Sequence, residues 1–153
     1  MFQFEVHGVP APQQQQNCAC DCPPKQKCKK WLYNPSLKEK EIIQWQVRPF
    51  APSVPLSGAI EMTVAFFLPI PKSASKALRE QMLNRVILPA KRPDEDNLAY
   101  LVTNALKGIV YVDDGLICAK HVYKFYGAEP KTVIRVRQIL QAEPLGYRDA
   151  DDL

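Results

Sequence analysis

The sequence predicts an α+β fold: a small mixed sheet of about four strands packed with helices. Three observations carry this. Segments near the start, middle and end of the chain alternate apolar and polar residues with the period of a strand. Between them lie segments with apolar residues at helical spacing. With 153 residues, 46% of them hydrophobic, the chain is long enough to bury one real core.

The elements follow in order. FQFEVHGV alternates Phe2, Phe4 and Val6 and reads as a half-buried strand ended by Gly8 and Pro10. From Pro10 to Asn34 nothing is periodic, so this stretch reads as a long loop. Ser36 with Glu39 has the form of a capping box, and LKEKEIIQWQV then forms a helix until Pro49. AIEMTVAFFLPI is a second strand, stopped by Pro69 and Pro71. SASKALREQMLNRV offers Leu78, Met82 and Leu83 to one face of a second helix. Leu98, Leu101, Val102, Ala105 and Leu106 form the apolar stripe of a third, and Gly108 sits where a left-handed C-terminal cap is favoured. IVYVDDGLICAKHVYKFYG reads as strand, kink, strand, with Cys118 in the core, and TVIRVRQIL as the closing strand. One domain over 1–140, with a loop insertion at about 12–34, is expected to precede an acidic tail at 141–153.

No apolar run approaches the roughly 20 residues of a membrane span, and MFQFEVHGVP is neither a basic leader nor a signal core. A cytoplasmic protein with reduced cysteines and no membrane contact is the expectation. The net charge is +4, but it is unevenly spread. From Lys25 to Arg92 there are thirteen Lys or Arg against four acids, while the final residues are acidic.

Against that background KRPDEDNLAYLVTNALKG is anomalous, because Asp94, Glu95 and Asp96 stand together and Asp113 and Asp114 follow downstream. Like charges this close repel unless a cation or solvent screens them. A helix from about Leu98 to Lys107 spans roughly 15 Å, and an extended return from Ile109 to Asp113 spans roughly 16 Å. A chain that doubled back at Gly108 would therefore gather Asp94, Asp96, Asp113 and Asp114, a charge density suited to a hard cation such as Mg²⁺, or Mn²⁺ in its place. The plainer alternative is that acids at a helix start cap N–H groups and complement the helix dipole, and that Val-Asp-Asp-Gly is simply a good turn.

RPDEDNLAYLVTNALKGIVYVDDGLI resembles the core signature of the RusA family of crossover junction endodeoxyribonucleases, in which D-x-D-N, A-L-x-G and D-D recur in this order. FQFEVHGVPAP is similar to the family's opening strand, GAIEMTVAFFLPIPKSASKALRE to its second strand and helix entry, and YGAEPKTVIRVRQI to its closing strand. The resemblance implies an α+β homodimer, with two-fold symmetry, that binds four-way (Holliday) DNA junctions and makes paired symmetric nicks with divalent metal. It places metal-binding, catalytic aspartates at Asp94, Asp96 and Asp114, with Asp113 beside them.

Two departures stand out. The family usually carries a lysine four residues after the second motif aspartate, and that position is Tyr100, which cannot supply an ammonium. Lys91 or Arg92 could supply that charge, Lys91 as a catalytic cation and Arg92 on DNA. The Arg-rich stretch that follows the first turn in relatives is replaced by PQQQQNCACDCPPKQKCKK, where Lys25, Lys27, Lys29 and Lys30 could grip phosphate, joined by Lys72 and Lys76. Trp31 or Tyr33 could stack on unpaired bases. Cys18, Cys20, Cys22 and Cys28 invite a zinc reading, yet C-x-C-x-C-x5-C is tighter than structural zinc pairs usually are, and plain surface thiols are the alternative. His7 and His121 lie in strand patterns and read as structural. Two functions remain open: a Mg²⁺-dependent junction-resolving nuclease, and a non-catalytic branched-DNA binding protein on the same scaffold.

Overall fold

Ile60 to Pro69 is apolar at most positions, and such a run suits a strand covered on both faces. In the computed structural model, which describes residues 1–14, 17–19 and 31–139 with the side chains of 17–19 and 31–33 left aside, this run is β4 (Ile60–Pro69). It lies inside a four-stranded mixed sheet. Strand β6 (Lys131–Gln138) pairs with it antiparallel on one side, and β5 (Ile117–Gly127) pairs parallel on the other. The first strand, β1 (Phe2–His7), closes the order β1-β6-β4-β5 by pairing antiparallel with β6. Two short strands, β2 (Asn17–Ala19) and β3 (Trp31–Tyr33), pair antiparallel with each other inside the stretch read as an aperiodic loop. The cysteine cluster's Cys20, Cys22 and Cys28, the four lysines from Lys25 to Lys30, and the acidic tail lie outside the described residues.

Helices α1 (Leu37–Val47) and α3 (Glu95–Leu106) cover one face of the sheet, while α2 (Lys76–Leu83) packs near the end of β5. The core joins Ile60, Met62, Val64 and Phe66 of β4 to Leu98, Leu101, Val102, Ala105 and Leu106 of α3, with Ile43 and Val47 from α1. The apolar stripe read from the sequence is thus the buried face of α3. On the opposite face, buried Glu61 is paired with Arg137 and lies 3.4 Å from His121 Nε2, so His121 stands beside a structural carboxylate. His7 is tied through its backbone, its N–H donating to Gln46 Oε1 and its carbonyl accepting from Gln46 Nε2.

Several local expectations are corrected. Ser36 makes no capping bond to α1. Its hydroxyl accepts instead from the Gln14 N–H at 2.8 Å, so the Ser36–Glu39 pattern serves a tertiary contact. Ser75 does cap α2, accepting from the Leu78 N–H. Cys118 is exposed, because β5 is an edge strand whose burial builds only towards Phe125.

The larger correction concerns residues 109–113, which do not run back as a strand. Gly108, at φ +76, takes the left-handed position that only glycine adopts without strain. Its N–H donates to the Tyr111 carbonyl at 2.7 Å, and Val110 N–H donates to Leu106 O, which coils the chain under the end of α3. Tyr111 is fully buried there and its hydroxyl donates to Thr103 O at 2.8 Å. Leu56 clasps the coil from the side, donating to Val110 O and accepting from Val112 N–H. Burial of the tyrosine wins over extension, since an extended return would leave its ring in water. Tyr111→Phe, which removes one of the two hydrogen bonds to the Thr103 carbonyl and leaves the Lys107 N–H as its partner, is expected to lower stability by about 1 kcal/mol in urea unfolding. Unchanged stability would mean that this bond does not hold the turn.

Candidate active site

Asp94 is the residue before α3, with extended backbone at φ −70 and ψ 140, yet its carboxylate makes no capping hydrogen bond. Asp94, Glu95 and Asp96 are all exposed. Glu95 carries the cost of the crowding: partial burial pushes its carboxyl up, the neighbouring Asp96 adds to this, and Lys120 and Lys124 pull it back down. Arg92 is joined to Pro93 by a cis peptide, and the side chains of Lys91 and Arg92 point to solvent. Their backbone is held from β5, because Lys124 Nζ donates to Lys91 O at 3.1 Å and Pro93 O at 3.0 Å. The acids therefore begin a helix whose entry is tied to the sheet by one ammonium.

Asp113 and Asp114 lie elsewhere in the chain. Lys107, just past the C-terminal end of α3, places its Nζ 2.6 Å from Asp113 Oδ2 and 2.8 Å from Asp114 Oδ1. Asp113 also accepts from the Gly115 N–H at 2.9 Å. The twelve residues of α3 span about 18 Å, so the two acidic groups sit at opposite ends of one helix. Among the described residues no three carboxylate, histidine or cysteine side chains come together to hold a metal ion. The gathering expected from an extended return does not occur within one chain, because the coil around Tyr111 keeps Asp113 and Asp114 under the helix end.

Each group still has a chemistry of its own. Asp94 and Asp96 offer hard, exposed oxygen donors with an open side, the type of set that Mg²⁺ uses when phosphate and water complete its shell. The Asp113–Asp114 pair is neutralised in part by Lys107, whose ammonium is held strongly protonated by its bonds to Asp113 and then Asp114.

Tyr100, 54% exposed, lines a groove beside α3 with Asn97, Asn104 and Lys40. Lys40 of α1 thus stands in the same groove as the residue that replaces the expected lysine. Lys72 and Lys76 are exposed at the entry to α2, following the end of β4. The roles of Lys40, Lys107, Lys120 and Lys124 escape sequence reading, since each comes from a segment remote from the D-x-D-N motif. Lys107 is the exception in distance, since it lies inside the A-L-K-G stretch, but no spacing rule pairs it with Asp113 and Asp114.

Comparison with known proteins supplies the class that the fold alone does not define. The family described as Endodeoxyribonuclease RusA matches residues 8–137, most of the chain. The chain belongs to the RusA endodeoxyribonuclease family. It is also 32% identical over 90 residues to the uncharacterized protein YqaN of Bacillus subtilis (strain 168), a match covering 58% of this chain and 63% of that protein. No helix among the described residues is long and apolar enough to cross a membrane.

The Lys107 clasp makes a pH prediction. Its hydrogen bond to Lys107, then the Gly115 N–H, holds the Asp113 carboxyl below the ordinary range of about 3.9. A depressed folded value means that this contribution is present above the ordinary range and lost as pH falls through the folded one. An NMR titration is expected to place Asp113 low in the native chain and to return it towards the ordinary range in Lys107→Met. An unmoved midpoint would show that the clasp does not form in solution.

Proposed function

We propose that the protein is a Mg²⁺-dependent endonuclease that resolves four-way DNA junctions as a two-fold homodimer. The observation that carries this reading is the uncapped, outward carboxylate of Asp94 beside Asp96, in the position where family membership implies metal. Asp94 and Asp96 would hold the cation from one chain, and Asp113 and Asp114 would come to it from a second copy. Two α3 helices set antiparallel across a two-fold axis would bring the start of each beside the end of the other. A divalent cation there would neutralise charge on the phosphate and make water a competent nucleophile.

The chain's own residues have the remaining tasks. Lys124 holds the helix entry so that the two carboxylates keep their spacing. Lys107 keeps the Asp113–Asp114 pair from repelling itself apart before a partner arrives. Lys91, Arg92, Lys72 and Lys76 would take phosphates of the arms, as would Lys25, Lys27, Lys29 and Lys30. Exposed apolar residues support a second copy: Trp45, Phe50 and Val54 are 83%, 70% and 75% exposed on α1 and the segment after it, and Val112 is 55% exposed beside the clasped aspartates. Acting on cellular DNA, such an enzyme would work in the cytoplasm.

Tyr100 favours a second reading, a branched-DNA binding protein without turnover, because the ammonium expected there is absent. A labelled four-way junction separates the two. With Mg²⁺, paired symmetric nicks are expected, abolished by chelation and reduced at least about a hundredfold in Asp96→Asn, the scale of losing one electrostatic stabiliser. Junction binding by that variant should persist or tighten, since a negative charge near phosphate is removed. A stable complex with no nicks would establish the binding protein instead, and full activity in Asp96→Asn would remove Asp96 from the site.

A further inference from the structure

The groove beside α3 has a chemistry that nothing above uses. It holds about 550 Å³, within the usual range of small-molecule sites. Five carboxamides line it: Gln13, Gln14, Asn34, Asn97 and Asn104. Among the described residues, Tyr100 and Lys40 are the other lining side chains, and no carboxylate is among them. Asn97, Tyr100 and Asn104 stand at i, i+3 and i+7, one stripe of α3 that begins directly after Asp96.

The wall opposite this stripe is built and braced. Gln13 N–H donates to Asn97 O at 2.8 Å, and Gln13 Nε2 donates to Asn34 Oδ1 at 3.1 Å and to Gln14 O at 3.0 Å. Asn34 Oδ1 also accepts from the Ser36 N–H at 3.0 Å, and the Ser36 hydroxyl accepts from the Gln14 N–H. Ser36 is 1% exposed, so the residue that fails to cap α1 anchors this wall from within. Among the described residues, the side-chain amides of Gln14, Asn97 and Asn104 have no hydrogen-bonding partner, and the Tyr100 ring is open to solvent.

Such a lining discriminates between ligands. A phosphate or carboxylate would call for several cations, and among the described residues the lining holds one. An apolar ligand would call for apolar walls. Neutral amides, each presenting a donor and an acceptor side by side, match the edge of a nucleobase. An aromatic ring offers a stacking face, and a single lysine suits the attached phosphate.

We propose that this groove receives an unpaired nucleobase of the DNA substrate, adjacent to the phosphate that a cation at Asp94 and Asp96 would bind, and thereby sets which sequence is cut. The inference rests on the reading as a junction nuclease, since bases at a branch point leave the stack at low cost. Gln14 and Asn104 read the base edge, Tyr100 stacks on it, and Lys40 takes the neighbouring phosphate.

The test uses the full chain and a pool of four-way junctions with randomised bases around the exchange point. Junctions retained without divalent metal are sequenced. The native protein is expected to enrich one base at one position about fivefold or more, the discrimination that a good amide–base pair supplies. Asn104→Ala and Gln14→Ala, both at surface positions that leave the core intact, should reduce that enrichment below about twofold, whereas Lys40→Ala should weaken retention evenly across sequences. Junction retention with no base preference, or a preference that survives both amide substitutions, overturns the groove assignment and leaves the nuclease reading standing. Failure of the native protein to retain junctions above linear duplex overturns both.

Discussion

Helix α3 is the constraint on which the site depends. Its buried stripe, Leu98, Leu101, Val102, Ala105 and Leu106, is locked onto β4, and freeing each large side chain would cost about 1.5–3 kcal/mol. The helix therefore cannot tilt or unwind to bring its ends together. Whatever stands at its start, Asp94 to Asp96, remains a helix length from whatever is clasped at its end, Asp113 and Asp114. One chain thus carries two acidic groups held apart by its own core, and in the proposed dimer a second copy in antiparallel register would join them.

The charges around the helix are arranged to hold position. Lys107 and its two aspartates are exposed, where ion pairs add little to stability. Their effect is local: they let two neighbouring carboxylates coexist. Lys124 spends two of its donors on backbone carbonyls at the entrance of α3, which fixes the direction in which the acids leave the sheet. The groove past Asp96 is braced in the same manner, through amides and a buried serine hydroxyl. The proposed metal-binding carboxylates and one wall of the proposed base-reading groove both lie on α3 or at its start, the groove reaching along it to Asn104.

Much of this fold is legible in the sequence, because β1, β6, α2 and α3 show the period of their geometry along contiguous residues and β4 is a bounded apolar run, whereas α1 shows almost no helical period. The family was legible too, since D-x-D-N, A-L-x-G and D-D fall in order on one continuous stretch. What was not legible depends on partners distant in sequence. Tyr111 alternates like a strand residue, and its burial against the end of α3 together with the clasp from Leu56 turns its segment into a coil. Ser36 and Glu39 match a capping box, but Gln14 takes the hydroxyl. Cys118 alternates as a core residue would, yet it falls on an edge strand. The groove is assembled from residues near 13, 34, 40 and 100, and no spacing rule joins them.

The central claim is that each complete site draws Asp94 and Asp96 from one chain and Asp113 and Asp114 from its partner. Subunit mixing tests it directly. Asp96→Asn and Asp114→Asn chains are prepared separately, mixed, allowed to exchange, and assayed for Mg²⁺-dependent nicking of a four-way junction. In a shared site, each mixed dimer has one doubly altered site and one intact site, so activity absent from both parents returns as nicks in one strand. If both carboxylate pairs serve a site within their own chain, every site in the mixture carries a substitution and no activity returns, which would contradict the account.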